Sequence, residues 1–304
     1  MIYMGMNRIL FVMWMAGMLL LSSCSVKEDR SGCPCWMTVD LSKVAESRWK
    51  SPERQSSTEY QMVTKSLESR QHIVESVVLR LRGNSDEDEV DYAFKMTETV
   101  NTEVGALEYE VPRGSVGVSA VALGNEIPGQ AGYDGIVGYD GDEIRIPVGE
   151  QMDSLYGFFR MFYTRCESVL CDVELHKEFC TVSFTLGDDG YESPYDLEVW
   201  GNVAGVSAWD LMPLEGDFRF TPSPEDGVYR VRVPRQVDNS LELVMLEDSE
   251  IVDRLPLGEY IARSGYDWAA EDLADVHVAL DMEKQQVMIT VSGWDGVVVM
   301  DIVI

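Results

Sequence analysis

Val77-Val78-Leu79-Arg80-Leu81-Arg82, the end of an apolar run that begins at Ile73, places Val77, Leu79 and Leu81 on one side of an extended chain and Arg80 and Arg82 on the other. Successive side chains of a strand point to opposite faces, so this period of two reads as a strand with one buried and one wetted side. Working outward, the same texture recurs in Trp36 to Leu41, Tyr92 to Met96, Ser115 to Leu123, Glu143 to Val148, Val173 to Leu186, Asp196 to Trp200, Val228 to Val233, Leu241 to Leu246, Val276 to Met282 and Val287 to Ser292. Each run is short, rich in β-branched or aromatic residues, and bounded by Gly, Pro, Asn or Asp. Many such runs separated by turn signals are the mark of a sandwich or barrel, so the chain is expected to be all-β.

Within Val173 to Leu186 the apolar phase runs Val173, Leu175, Phe179 and then jumps to Val182, Phe184, Leu186. A bulge near Cys180 is the expected correction. Helical signal is scarce. Leu257, Tyr260 and Ile261 have helical spacing and stop at Gly265, which predicts one short helix, with Trp268 packing beyond it. Ser42 to Arg70 is polar and reads as a long mobile loop, and Asp86-Glu87-Asp88-Glu89 as a hairpin loop. The repeated Gly132-Tyr133-Asp134-Gly135 and Gly138-Tyr139-Asp140-Gly141 read as turns, since they lack the register of a calcium-binding EF-hand. Leu155 to Thr164 is either a last strand of a first half or a connector.

Near the start of the 304 residues Arg8 precedes an apolar stretch from Ile9 to Leu21, too short to span a bilayer and therefore a signal-peptide core. Leu21-Ser22-Ser23-Cys24 behind it resembles the lipobox at which bacterial lipoproteins are cut and acylated. A thiolate is the nucleophile that accepts a diacylglyceryl group, so Cys24 is the expected lipidation site and first mature residue. The expected organisation is a signal peptide (1–23), a lipidated tether (24–35), an N-terminal sandwich (36–165) and a C-terminal sandwich (166–304). Lys27, Glu28 and Asp29 look like the export signal that sends some lipoproteins to the outer face of the outer membrane.

The formal net charge is −29. A surface this anionic repels phosphate backbones, so nucleic acid is not an expected partner, and lipid on Cys24 rather than a basic patch must supply membrane affinity. Beyond Cys24, Cys33, Cys35, Cys166, Cys171 and Cys180 are odd in number and do not form a CxxC pair, so no metal site is expected and their pairing stays open. His72, His176 and His277 stand alone on expected strands, with no HExxH, GxSxG or phosphate-cradling loop. No catalytic residue and no cofactor is assigned, and an enzyme is not expected.

The last residues, Val297 to Ile304, place Val298, Met300, Ile302 and Ile304 on one face, with Val297, Val299 and Val303 beside Asp301 on the other. So apolar a strand must be covered, either by closing its own sheet or by entering a neighbour's groove. Asp295-Gly296 is a hairpin signal that favours closure onto Val287 to Ser292.

Cys24-Ser25-Val26-Lys27-Glu28-Asp29-Arg30, Cys33-Pro34-Cys35 and the strand from Trp36 resemble the start of the FimB-type family of fimbrial anchor lipoproteins from type V pili. Asp153-Ser154-Leu155-Tyr156-Gly157 leading to Leu175-His176-Lys177-Glu178-Phe179-Cys180, and Leu257-Gly258-Glu259-Tyr260-Ile261 leading through Trp268 to Trp294, agree with it. The resemblance implies two transthyretin-like Greek-key β-sandwich domains in tandem, the short helix falling in the second. It also implies a surface role at the cell outer membrane: lipid-anchored attachment, and length limitation, of a fimbrium, with other fimbrial subunits as partners. Stalk subunits of such pili join by donor strands and are matured by an arginine-specific protease. Arg48, Arg54 and Arg70 lie in the segment expected to be mobile, where such a cut would also strip the lipid; the alternative is a solvated loop that stays uncut. A second reading is a surface lipoprotein gripping glycan or host protein through Tyr191, Tyr195 and Trp209.

Overall fold

Alternation along the first described strand, β1 (Cys35–Asp40), sets the inner side of one sheet: Cys35, Met37 and Val39 are buried and Trp36 is exposed. The computed structural model describes residues 35–46, 76–85, 94–123, 141–165, 168–186, 195–281, 286–291 and 297–301. Asp40 accepts the Ser42 N–H at 2.8 Å and starts a short helix, α1 (Ser42–Glu46), where only a loop was expected.

The strands that follow are β2 (Ser76–Ser85), β3 (Phe94–Asn101), β4 (Ala106–Val111), β5 (Gly114–Leu123), β6 (Glu143–Arg145), β7 (Leu155–Thr164), β8 (Ser168–Asp172), β9 (His176–Lys177) and β10 (Phe179–Leu186). Next come β11 (Asp196–Ser207), β12 (Pro213–Phe220), β13 (Tyr229–Pro234), β14 (Glu242–Glu247), β15 (Glu250–Leu255), helix α2 (Leu257–Arg263), β16 (Val276–Asp281), β17 (Gln286–Val291) and β18 (Val298–Asp301). The protein is all-β, as its alternation requires. α2 lies where it was expected, burying Leu257, Tyr260 and Ile261 and ending before Gly265 at φ +89°, with Trp268 edge-on to Tyr266 at 4.7 Å.

The described residues form four sheets: β4-β1-β8, β3-β2-β5-β7-β9, β12-β11-β14-β15 with β6 alongside β11, and β13-β10-β16-β17-β18. Their inner side chains, among them Met37, Leu79, Phe218 and Ile289, belong to one continuous apolar core. β8 and β9 lie beyond residue 165 in sequence yet pair with β1 and β7. Conversely β6, from the earlier half, pairs with β11. The phase jump near Cys180 has a different cause from the bulge expected there. The chain leaves one sheet after β9, crosses at Glu178 and enters another as β10, whose register against β13 and β16 is unbroken.

The face of β2 expected to be wet is not. Arg80 is 2% exposed, and Arg82 lies under the Trp209 ring with its guanidinium 4.6 Å from the ring centre and paired to Asp142. A turn from the far side of the sequence, Ser207 to Leu211, covers this face. A Cβ on Gly117 would come within 2.6 Å of Trp209, and one on Gly157 within 2.6 Å of Leu211, so both glycines make room for the turn. Leu211 is held at φ +61°, and the Ser119 hydroxyl donates to the Ala208 carbonyl at 2.9 Å.

Candidate functional site at the terminal strands

Strand β1 lies in the middle of its sheet. It pairs antiparallel with β4, Met37 opposite Tyr109, and parallel with β8, Met37 opposite Val169. Backbone bonds extend the grip past its end, from Leu41 N–H to Gly105 O at 2.7 Å and from Val173 N–H to Asp40 O at 3.0 Å. Hydrogen bonds from Ser42 hold the Asp40 carboxyl below its ordinary range. Every inward side chain of β1 is fully covered, so its removal would open a trough between two strands that do not otherwise pair.

Among the described residues strand β18 lies at the edge of its sheet, pairing with β17 alone: Val298 opposite Ile289, Val299 opposite Met288, Met300 opposite Val287 and Asp301 opposite Gln286. Met300 is buried against the core and Val298 is partly so, as the alternation demands, whereas Val299 is 54% exposed. Ile302 and Ile304 lie outside the described residues, as do Cys24, Lys27, Glu28, Asp29, Arg48, Arg54 and Arg70.

Two edge strands of the C-terminal half differ in construction. β15 is exposed from Glu250 to Arg254, carries charge at both ends, and has a register shift against β14 at Met245/Leu246. Bulges and charges of this kind blunt a sheet edge. β18 has neither a shift nor a charge before Asp301.

A polar clasp joins the β9–β10 crossover to the segment after α2. The buried Glu178 carboxylate accepts from Arg235 Nε at 3.0 Å, and the rest of that guanidinium donates to the carbonyls of Trp268, Ala270 and Glu271 at 2.6, 2.7 and 3.4 Å. Burial raises the Glu178 carboxyl and Arg235 opposes the shift. His176 lies between Glu271 and Asp272 at 3.2 and 3.4 Å, and Lys177 pairs with Asp275. These residues lie in the His176-Lys177-Glu178 block singled out in the sequence; Arg235 was missed, because a lone arginine after a strand carries no local signal of what it will reach.

Several residues take places other than those expected. Trp209, read as an exposed loop aromatic, is 8% exposed and edge-on to Phe159 at 5.3 Å. Tyr195 is partly buried against the core, and Tyr191 lies outside the described residues. His277, expected on a strand surface, is buried with Nδ1 3.0 Å from the Ser183 hydroxyl, and burial lowers its imidazole to about 4. His72 lies outside the described residues. Cys35, Cys171 and Cys180 are buried, and desolvation raises the Cys171 and Cys180 thiols to about 12, which leaves them unreactive as nucleophiles at neutral pH.

No family model and no curated protein matches the sequence. Solved structures do resemble the fold. A candidate polysaccharide-binding protein from Bacteroides thetaiotaomicron is 15% identical, with 88% of this chain and 98% of that one covered and a TM-score of 0.50. A candidate adhesin from Bacteroides ovatus is 15% identical over 90% of this chain and 97% of that one, at 0.48. The fimbrial anchor protein Mfa2 from Porphyromonas gingivalis is 10% identical over 86% and 98%, at 0.49. At 15% identity the likeness to the first of these is a likeness of fold.

Proposed function

We propose that this chain is a lipid-anchored fimbrial subunit that attaches a surface fibre to the outer membrane through acyl chains on Cys24, limits its length, and meets its neighbour through strand contact. The observation that carries this reading is the unequal setting of the terminal strands. β1, next in sequence after the tether, is paired on both sides. A pull delivered from Cys24 along β1 loads both ladders in shear, so their hydrogen bonds resist together rather than opening one after another. Among the described residues β18 is paired on one side, which leaves an apolar edge for a partner. Cleavage after Arg48, Arg54 or Arg70 would cut the covalent link between the lipid-bearing N-terminal piece and the rest of the chain, leaving only the β1 ladders to hold them together, so an anchor has to remain uncut there. Lys27, Glu28 and Asp29 would direct it to the outer face.

The experiment is to shear cells carrying Cys24→Ala and count retained fibres, with mass spectrometry of the native protein's first peptide as a companion. The expected results are fibres shed into the medium, and a wild-type peptide that starts at an acylated Cys24. Unchanged retention, or an unmodified first residue, would overturn the proposal.

A further inference from the structure

The open part of β7 is both basic and aromatic in an acidic protein. Phe158-Phe159-Arg160-Met161-Phe162-Tyr163-Thr164-Arg165 contains two arginines, four aromatic rings and no carboxylate, in a chain whose net charge is −29. β9 pairs with β7 only at Tyr156 and Gly157, so from Phe158 onward the outer side of β7 meets no strand among the described residues. Met161 is 44% and Tyr163 72% exposed.

Arg160 shares the face of β7 that bears the buried Phe158 and the half-buried Phe162. Its guanidinium lies 5.6 Å from the Phe158 ring, and its charge is felt at the buried Cys171 thiol of β8, the edge strand of the neighbouring sheet. Arg165 lies over Tyr163 at 5.8 Å, with the Arg113 guanidinium donating to its carbonyl at 3.5 Å. No carboxylate among the described residues pairs with Arg160 or Arg165.

Arg160 is itself exposed, and an ordinary apolar strand laid along this edge would cover its charge and leave it unmatched. A strand that brings a carboxylate opposite it gains both the backbone ladder and the ion pair. We propose that the edge of β7 from Phe158 to Thr164 is a docking site for an extended acidic segment of a partner protein, added as a further strand whose carboxylates, alternating onto one face, meet Arg160. This site is separate from β18 and does not depend on lipid anchoring.

The test is fluorescence anisotropy of the purified full-length protein with a labelled peptide of about eight residues, alternating valine and glutamate, against the same peptide with lysine for glutamate. The glutamate peptide should bind at least about tenfold more tightly, and Arg160→Glu should reverse the preference. Equal binding of the two peptides, or an Arg160→Glu variant with unchanged preference, overturns the proposal. A glutamate peptide methylated on alternate backbone nitrogens, which keeps its charge but cannot form the ladder, should lose binding to the wild-type protein. If it binds as well as its parent, strand addition is wrong whatever the variant does.

Discussion

β1 pairs on both sides, with β4 and β8, and hides Cys35, Met37 and Val39; among the described residues β18 pairs with β17 alone, hides Met300, and leaves Val299 exposed. These are the first and last described strands, both apolar and of similar composition, so composition does not separate them. What differs is how many neighbours each must abandon to move. Extraction of β1 breaks two ladders and bares three side chains, whereas release of β18 breaks one ladder and bares little beyond Met300. The first arrangement suits a fixed mechanical link and the second a surface at which another chain can join.

The strongest way to break this contrast is Met37→Ala. A fully buried methionine between two paired strands should cost roughly 4 kcal/mol in urea unfolding, since the cavity cannot collapse without moving β4 or β8. A loss under about 1 kcal/mol would mean that β1 is not held as the ladders imply.

Acid should distinguish the sheets next. Burial, with Arg230 acting in the same direction, lowers His277 on β16 from an ordinary 6.5 to about 4. The unfolded chain therefore takes up this proton first as pH falls. Stability from the group is complete above about 6.5 and is withdrawn between 6.5 and 4, an interval worth about 3 kcal/mol. β16 supports β17 and hence β18, so hydrogen exchange at pH 4.5 should quicken in that sheet before it does in β1. In His277→Gln the pH dependence across this window should shrink; an unaltered slope would remove His277 from the account.

Met300→Ala is expected to cost about 2 kcal/mol, the low end for a buried methionine, because an edge strand can settle into the space. A cost equal to that at Met37 would erase the distinction between the strands. Smallest is the difference in native exchange at neutral pH. Amides of β18 should exchange through local fraying, and those of β1 only through larger openings. Equal protection factors would count against a releasable last strand.

Much of the fold was legible because burial on one face writes itself into a two-residue period. β1, β2, β5, β10, β13, β14, β16 and β17 were found that way, and α2 by its helical spacing and terminal glycine. β15 was missed since Glu250 to Arg254 are exposed on both faces, so no apolar phase exists to detect. β12 was missed because Pro213, Gly216 and Asp217 interrupt its pattern. β4 is a different case: Leu107, Tyr109 and Val111 do alternate with Glu108 and Glu110, a signal present and overlooked.

The sequence by itself determined an all-β chain with its main strands and short helix, because backbone geometry converts side-chain order into faces without reference to anything distant. Only the tertiary structure decided which faces stay wet and which edges stay open. Arg80 is buried because the Trp209 turn, far along the chain, lands on glycines at 117 and 157; among the described residues β1 is central, and β18 and the end of β7 beyond Gly157 are open, because strand order is settled by pairings between residues remote in sequence. Those pairings depend on complementary surfaces that exist only once the chain has folded, and a local pattern cannot encode them.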